Sequence, residues 1–345
     1  MDSAKAIAYG VPYGGDVWDF FCGKARPETA LPVGVVVTNP ASGSEMSDSC
    51  VITNEALMDK RGFSSPLGRC RFAVSNPERT FTLSPYQTAA GVADIMMHTM
   101  ERYFSNDMDM PLTESIAEAL LRTLKASAYK VLEDPCDYRA RAQIMWGGSL
   151  SHNGLTECGM QRDWACHKME HELSGMFDVT HGAGLTALWP TWARYALRTN
   201  VPRFVRFAVN VMGVRAVQLD ALPRAADAGA PASEALASTG ADAVDLAALP
   251  RAADAGASVC ADAVDLAALS PAAAEVIALE GIAAMERFYR DIGMPVTLRE
   301  LLGRPATDDE IVEMARRCSH DGTITVGALR VLTRADIEAI YRAAN

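Results

Sequence analysis

No uninterrupted apolar run in the 345 residues reaches the roughly eighteen needed to span a bilayer, and no charged n-region with an apolar h-region opens the chain. Neither a membrane span nor a secretory leader is expected, and cytoplasmic placement follows by default. Lys and Arg form no cluster and the formal net charge is −11, which argues against a nucleic-acid partner, because phosphate neutralisation needs concentrated positive charge. The eight cysteines include no CxxC pair and read as reduced, mostly buried thiols. Large side chains are almost missing from 218–270, where ALPRAADAGA occurs at 221–230 and 248–257 and ADAVDLAAL at 241–249 and 261–269. The unequal offsets of 27 and 20 suggest nested duplication rather than a solenoid. Such a segment buries too little to offset its ordering entropy, so it reads as a flexible or partly helical insertion.

What is present is 49% apolar and 22% charged, a soluble globular composition in a chain long enough for two domains. Helix and strand signals alternate in the opening third. Residues 2–9 look helical, 33–38 (VGVVVT) is a β-branched run typical of a buried parallel strand, and 70–75 is a second strand candidate. After Pro85 helical periodicity takes over, at 86–104, 112–132, 137–153, 185–198, 202–211 and 275–292, closing on 333–344 with Thr333 as N-cap. The stripe of Met96, Met97 and Met100 reads as core packing. The expectation is an α/β region over 1–84 and an all-helical region over 85–345, with a cleft between them.

Histidine is scarce, at six residues, yet four of the six fall into a pattern. Asp94 and His98 are four apart in GVADIMMHTME, and His167 and His171 are four apart in CHKMEHELSG, so each pair projects from one helix face. His181 opens HGAGL fourteen residues after His167, where a chain leaving one helix can fold its imidazole back. A carboxylate with imidazoles suits Fe(II) or Zn(II) rather than Ca(II) or Mg(II), which prefer oxygen shells. Each histidine alone reads as a satisfied core or surface residue, and Cys166 beside His167 is a competing ligand that the i,i+4 geometry disfavours.

At these residues the chain resembles the iron-containing (group III) alcohol dehydrogenases, most closely the butanol dehydrogenase branch. GVADIMMHTMERYF and DWACHKMEHELSGMFDVTHGAGL resemble the family's metal-binding signatures, and LPVGVVVTNPASGSEMSDSCVITNE, SNPERTFTLSPYQTAAG and EDPCDYRARAQIMWGGSLSHNG agree with the same branch. The resemblance runs from residue 1 to about 213 and resumes near 271. It implies a dinucleotide-binding α/β domain followed by an all-α metal-binding domain, and hydride transfer between a primary alcohol or aldehyde and NAD or NADP. Asp94, His98, His167 and His181 are the implied metal ligands for Fe(II) or Zn(II), and His171 the implied catalytic histidine near nicotinamide and substrate. Thr38, Gly43 and Ser44, in TNPASGSE, match the loop beside the phosphates and nicotinamide ribose, where Pro40 removes one N–H donor. Lys60 matches a lysine near the cofactor. Family members often form homodimers through the nucleotide-binding lobe, which is the assembly implied here.

Residues 1–8 resemble the start of the helix that follows the family's GGGS turn, and that pyrophosphate-binding turn is not in the chain. The start then reads as an internal codon, a fragment boundary or a truncation, and the rival to a dehydrogenase is a metal-binding remnant that cannot hold the dinucleotide. A third reading, metal-assisted hydrolysis, needs a positioned carboxylate. The candidates Glu170 and Glu172 flank His171 and are read as facing elsewhere. Trp146, Trp164 and Phe177 are candidate pocket side chains, with core packing as the alternative role.

Overall fold

The computed structural model describes residues 1–107, 109–214 and 269–345, so the repeats expected to form an insertion at 218–270 lie almost wholly outside the described residues. Among the described residues all named strands fall between residues 34 and 75, and every named element from Pro85 onward is helical. Helix α1 (Asp2–Tyr13) and the short α2 (Trp18–Phe21) precede strand β1 (Gly34–Val37), the hairpin β2 (Ser49–Asn54) and β3 (Asp59–Ser64), and β4 (Phe72–Ser75). β1 pairs parallel with β4, Gly34 opposite Phe72, and β2 pairs antiparallel with β3, Thr53 opposite Lys60. The β-branched run is thus the expected parallel strand, but only one of its faces is covered: Val35 and Val37 are buried and Val36 is 57% exposed. The hairpin was not anticipated, because its strands show no clean alternation of burial and its turn uses Met58 at φ 48 instead of a Gly or Asn signal.

Helix α3 (Pro85–Tyr103) organises the rest. Ser84 caps it, accepting from Gln87 N at 3.1 Å, and Pro85 sits at its first position. Every residue from Thr88 to Tyr103 is buried, so α3 is wrapped on all sides rather than amphipathic, and Met96, Met97 and Met100 are core as expected. Around it pack α4 (Pro111–Glu133), α5 (Tyr138–Ser151) and α7 (His181–Ala196). Helix α6 (Ala165–Phe177) lies on α7, and α8 (Val201–Phe207) continues into a π-turn at Ala208–Met212. After the undescribed segment come α9 (Pro271–Asp291), α10 (Leu298–Leu302), α11 (Asp308–Cys318) and α12 (Arg334–Ala344). Thr333 is the N-cap of α12, in a capping box with Asp336, and Tyr341 on α12 donates to the Met169 carbonyl of α6 at 2.7 Å.

Two close approaches set where the site forms. A Cβ on Gly182 would lie 2.0 Å from the Ala90 carbonyl oxygen, so only glycine lets α7 touch α3 there. Gly43 takes φ +66, and a Cβ on it would lie 2.2 Å from the Gly148 carbonyl oxygen of α5. The Gly/Ser-rich loop is therefore pressed against the helical region.

Candidate metal centre

The two i,i+4 pairs lie on α3 and α6, and His181 is the first residue of α7. α6 ends at Phe177 with Asp178 in a left-handed conformation, so a link of three residues turns the chain and returns His181 toward α3. Asp94, His167 and His181 each present one ligand atom within 4.8 Å of the others. Asp94 Oδ1 lies 3.3 Å from His98 Nε2, 3.7 Å from His167 Nε2 and 3.8 Å from His181 Nε2. Bonds of about 2.0–2.2 Å at tetrahedral angles separate neighbouring ligand atoms by roughly 3.4 Å, so the spacing of Asp94, His167 and His181 is that of donors around one ion, whereas His98 Nε2 approaches Asp94 but does not join that mutually close group. Asp94 Oδ1 and His167 Nε2 are buried with no hydrogen-bond partner among the described residues, as is His98 Nδ1. Buried polar atoms without partners are costly, and a cation between them would satisfy the carboxylate oxygen and the imidazole nitrogen together.

The backs of these rings are held. Glu101, buried on α3, accepts from Cys166 N at 2.6 Å and His167 N at 3.2 Å through Oε1 and from His167 Nδ1 through Oε2. It therefore satisfies two free N–H groups at the start of α6 while pointing His167 Nε2 at Asp94. Glu170, fully buried on α6, makes the corresponding contact with His181 Nδ1 and accepts from Ser174 Oγ. Lys60 Nζ, from β3, stands 3.5 Å from Glu170 Oε2 and 3.4 Å from His181 Nδ1. Burial pushes His167 down, but Glu101 and Asp94 outweigh it and raise it to about 9, whereas burial holds His98 and His181 well below the usual imidazole range.

Models of the iron-containing alcohol dehydrogenase family match residues 1–77, and of the C-terminal part of the Fe-containing alcohol dehydrogenase family residues 88–249. The chain superposes on the crystal structure of NADH-dependent butanol dehydrogenase A from Thermotoga maritima with a TM-score of 0.79 and 30% identity, covering 99% of this chain and 73% of that one. The chain belongs to the iron-containing alcohol dehydrogenase family. It is 43% identical over 215 residues to NADH-dependent butanol dehydrogenase A of Clostridium acetobutylicum and 42% identical over 214 residues to the probable NADH-dependent butanol dehydrogenase 2 of Bacillus subtilis, 62% of this chain in each case. It spans about half the length of these relatives, 55% of each.

Within this iron-containing alcohol dehydrogenase fold, an α/β region followed by a helical one, the other sequence-derived residues take definite places. His171 lines a cleft that His98 and His167 also line, its ring 5.9 Å from that of His181, and burial holds it well below the usual imidazole range. Thr38 follows β1 and is exposed, while Ser44 is buried and donates through Oγ to Asp2 Oδ1 at 2.6 Å. The buried Lys5 ammonium donates to the carbonyls of Ser44, Ser47 and Ser49 at 2.8, 2.9 and 2.8 Å, pinning the loop from behind. Lys60, expected near the cofactor, has its ammonium in contact with Glu170 and His181, beside the candidate metal ligands.

One expectation is reversed: Glu170 does not face elsewhere but turns onto His181, although Glu172 does line the open cleft without touching the ligand set. Glu101, Glu170 and His152 were not read from the sequence as parts of the site. The two glutamates carried a signal, since Glu101 follows His98 by three residues and Glu170 follows His167 by three, on the faces that bear the histidines. His152 carried none. It lies past the end of α5, where Nδ1 meets the Ser42 carbonyl oxygen at 2.7 Å and the ring lies 4.4 Å from that of His98.

Proposed function

We propose that this chain takes part in reversible hydride transfer between a primary, butanol-like alcohol and NAD or NADP, with Fe(II) or Zn(II) held by Asp94, His98, His167 and His181. The observation that carries the reading is the pair of buried, partnerless atoms Asp94 Oδ1 and His167 Nε2 facing each other at 3.7 Å. The donor set fits the metal: one carboxylate and three imidazoles, with Glu101 and Glu170 orienting two of the rings from behind. When bound, a divalent ion there polarises the substrate oxygen and lowers the pKa of the alcohol.

The chain's own residues do the rest. His171, in the cleft beside His181, passes the alcohol proton toward solvent, and Lys60 opposes the burial that raises Glu170, favouring the carboxylate that accepts from His181 Nδ1. Residues 1–84 serve the dinucleotide, with Thr38, Gly43 and Ser44 on the loop that meets α5 and Lys60 reaching from β3 toward the cleft, and residues 85–345 serve the metal and substrate. The engagement of the Ser44 hydroxyl by Asp2 favours a second reading, a metal-binding chain in which the loop is not free to hold a dinucleotide.

Anaerobic loading with Fe(II), or loading with Zn(II), followed by butanal-dependent oxidation of NADH and NADPH separates the two readings. Turnover supports the dehydrogenase, and stoichiometric metal without nucleotide binding supports the second. His181→Ala should lose metal in elemental analysis, and full occupancy in that variant would sink the ligand assignment.

A further inference from the structure

Trp164 is in an unusual position for a bulky side chain. It precedes α6 as N-cap with φ 60 and ψ 15, a left-handed conformation that is strained for a non-glycine residue. Nothing at the cap repays it through the Trp164 side chain, which makes no capping hydrogen bond; the start of α6 is satisfied by Asp163 and Glu101. What the conformation achieves is the placement of the indole. Its ring stands edge-on to His167 at 5.0 Å and to His98 at 5.6 Å, and it lines, with those two histidines, a cleft of about 890 Å³.

The indole is also fixed. The Arg102 guanidinium lies 4.6 Å from the ring centroid, itself buried and held by Glu157 Oε2 at 2.7 Å and by the His98 carbonyl at 2.5 Å. A strained backbone and a buried arginine therefore hold one apolar plate beside two candidate ligands. Among the described residues it is the one non-histidine ring in contact with their rings. The two other aromatic candidates are elsewhere: Trp146 is 56% exposed, and Phe177 packs on the core under Arg304.

We infer that Trp164 is the specificity-determining wall of the substrate site, against which the alkyl chain of a short, unbranched primary alcohol lies when its oxygen is at the metal. The inference rests on the alcohol reading of the same cleft. It assigns the substrate class to a flat plate that accepts a thin chain and whose bulk excludes branched and aromatic carbons next to the reacting one.

The test uses the full chain loaded with Co(II), whose visible absorption reports what reaches the metal without any turnover. Ethanol, butanol, hexanol and benzyl alcohol are titrated into the wild type, Trp164→Ala and Trp164→Phe, with metal content measured in each. In the wild type affinity should rise by up to about fourfold per methylene from ethanol to butanol. In Trp164→Ala that gain should fall to less than twofold, and the benzyl alcohol to butanol affinity ratio should rise at least tenfold, with Trp164→Phe between the two.

A ratio and a methylene gain unchanged in both variants, with metal content and Co(II) spectrum as in the wild type, would overturn the assignment. So would a wild type whose spectrum responds to none of the four alcohols. Should Trp164→Ala fold poorly, Trp164→Phe alone decides, by a shift of the ratio or its absence. The two readings fail separately. Alcohol binding with the predicted shift but no oxidation of NADH or NADPH keeps Trp164 as the wall and removes the redox reading. Butanal turnover with a chain-length preference indifferent to residue 164 does the reverse.

Discussion

Replacing Glu101 by Gln should weaken metal binding although residue 101 is not a ligand. The carboxylate accepts three hydrogens, from Cys166 N, His167 N and His167 Nδ1, and a side-chain amide offers one accepting oxygen and one NH2. With the amide oxygen kept on the two backbone groups, NH2 meets His167 Nδ1. The ring must then hold its proton on Nε2, the nitrogen 3.7 Å from Asp94 Oδ1, and the lone pair a metal requires is gone. With the amide reversed, the NH2 confronts two buried N–H groups at the start of α6, at about 1–3 kcal/mol for each one left unsatisfied. Either arrangement costs more than the simple loss of a carboxylate–histidine contact, which lowers metal affinity about 10–100-fold. The expected loss is therefore at the upper end, about 100-fold or about 2.7 kcal/mol. Competition with a chromophoric chelator for Zn(II) measures it, with far-ultraviolet circular dichroism confirming that the helices are intact. A Glu101→Gln protein that is folded and binds within twofold of the wild type would refute the reasoning.

Other outcomes follow from the same packing. Gly182→Ala puts a methyl 2.0 Å from the Ala90 carbonyl oxygen and must part α7 from α3, so thermal or urea unfolding should show a loss of about 1–3 kcal/mol with weaker metal binding; a stability equal to the wild type would mean that the helices are not in contact there. Burial lifts Glu172 to about 7, with Arg317 only partly opposing it. The folded state then holds a proton that the unfolded chain releases near pH 4.5, so this residue's contribution is fully present below that pH and is lost as pH rises toward 7. Glu172→Gln should accordingly match the wild type in Tm near pH 4.5 and exceed it near pH 8, and parallel Tm curves across that range would contradict the assignment.

Much of this site was legible in the sequence because helical periodicity is a local property. Asp94 with His98 and His167 with His171 share faces by the 3.6-residue repeat alone, whatever packs against them; α3 falls where the periodicity puts it, and α6 forms around the spacing of His167 and His171 although no periodic segment was read over 165–177. The return of His181 after the short link is as expected, but α7 opens at His181 itself, four residues before the helix expected at 185–198. The motifs around these residues are long enough to identify the family, and with it the order of an α/β region and a helical one.

What the sequence could not decide depends on partners distant in the chain. Lys60 is 121 positions from His181 and Glu101 is 66 from His167, and nothing local selects which nitrogen of an imidazole is turned to a carboxylate. His152 has no helical neighbour of the right type, and it enters the site only because α5 packs on α3 and the Gly43 loop closes over the end of α5. The β2–β3 hairpin was hidden by its irregular burial, and it alone brings Lys60 to the metal side of the cleft. Composition and period therefore determined most of the helices and the i,i+4 pairs Asp94/His98 and His167/His171 that they carry. The close approach of α7 to α3 at Gly182, the carboxylates behind the rings and the plate formed by Trp164 were decided by tertiary packing, which sets the distances and ring orientations that a single helix leaves free.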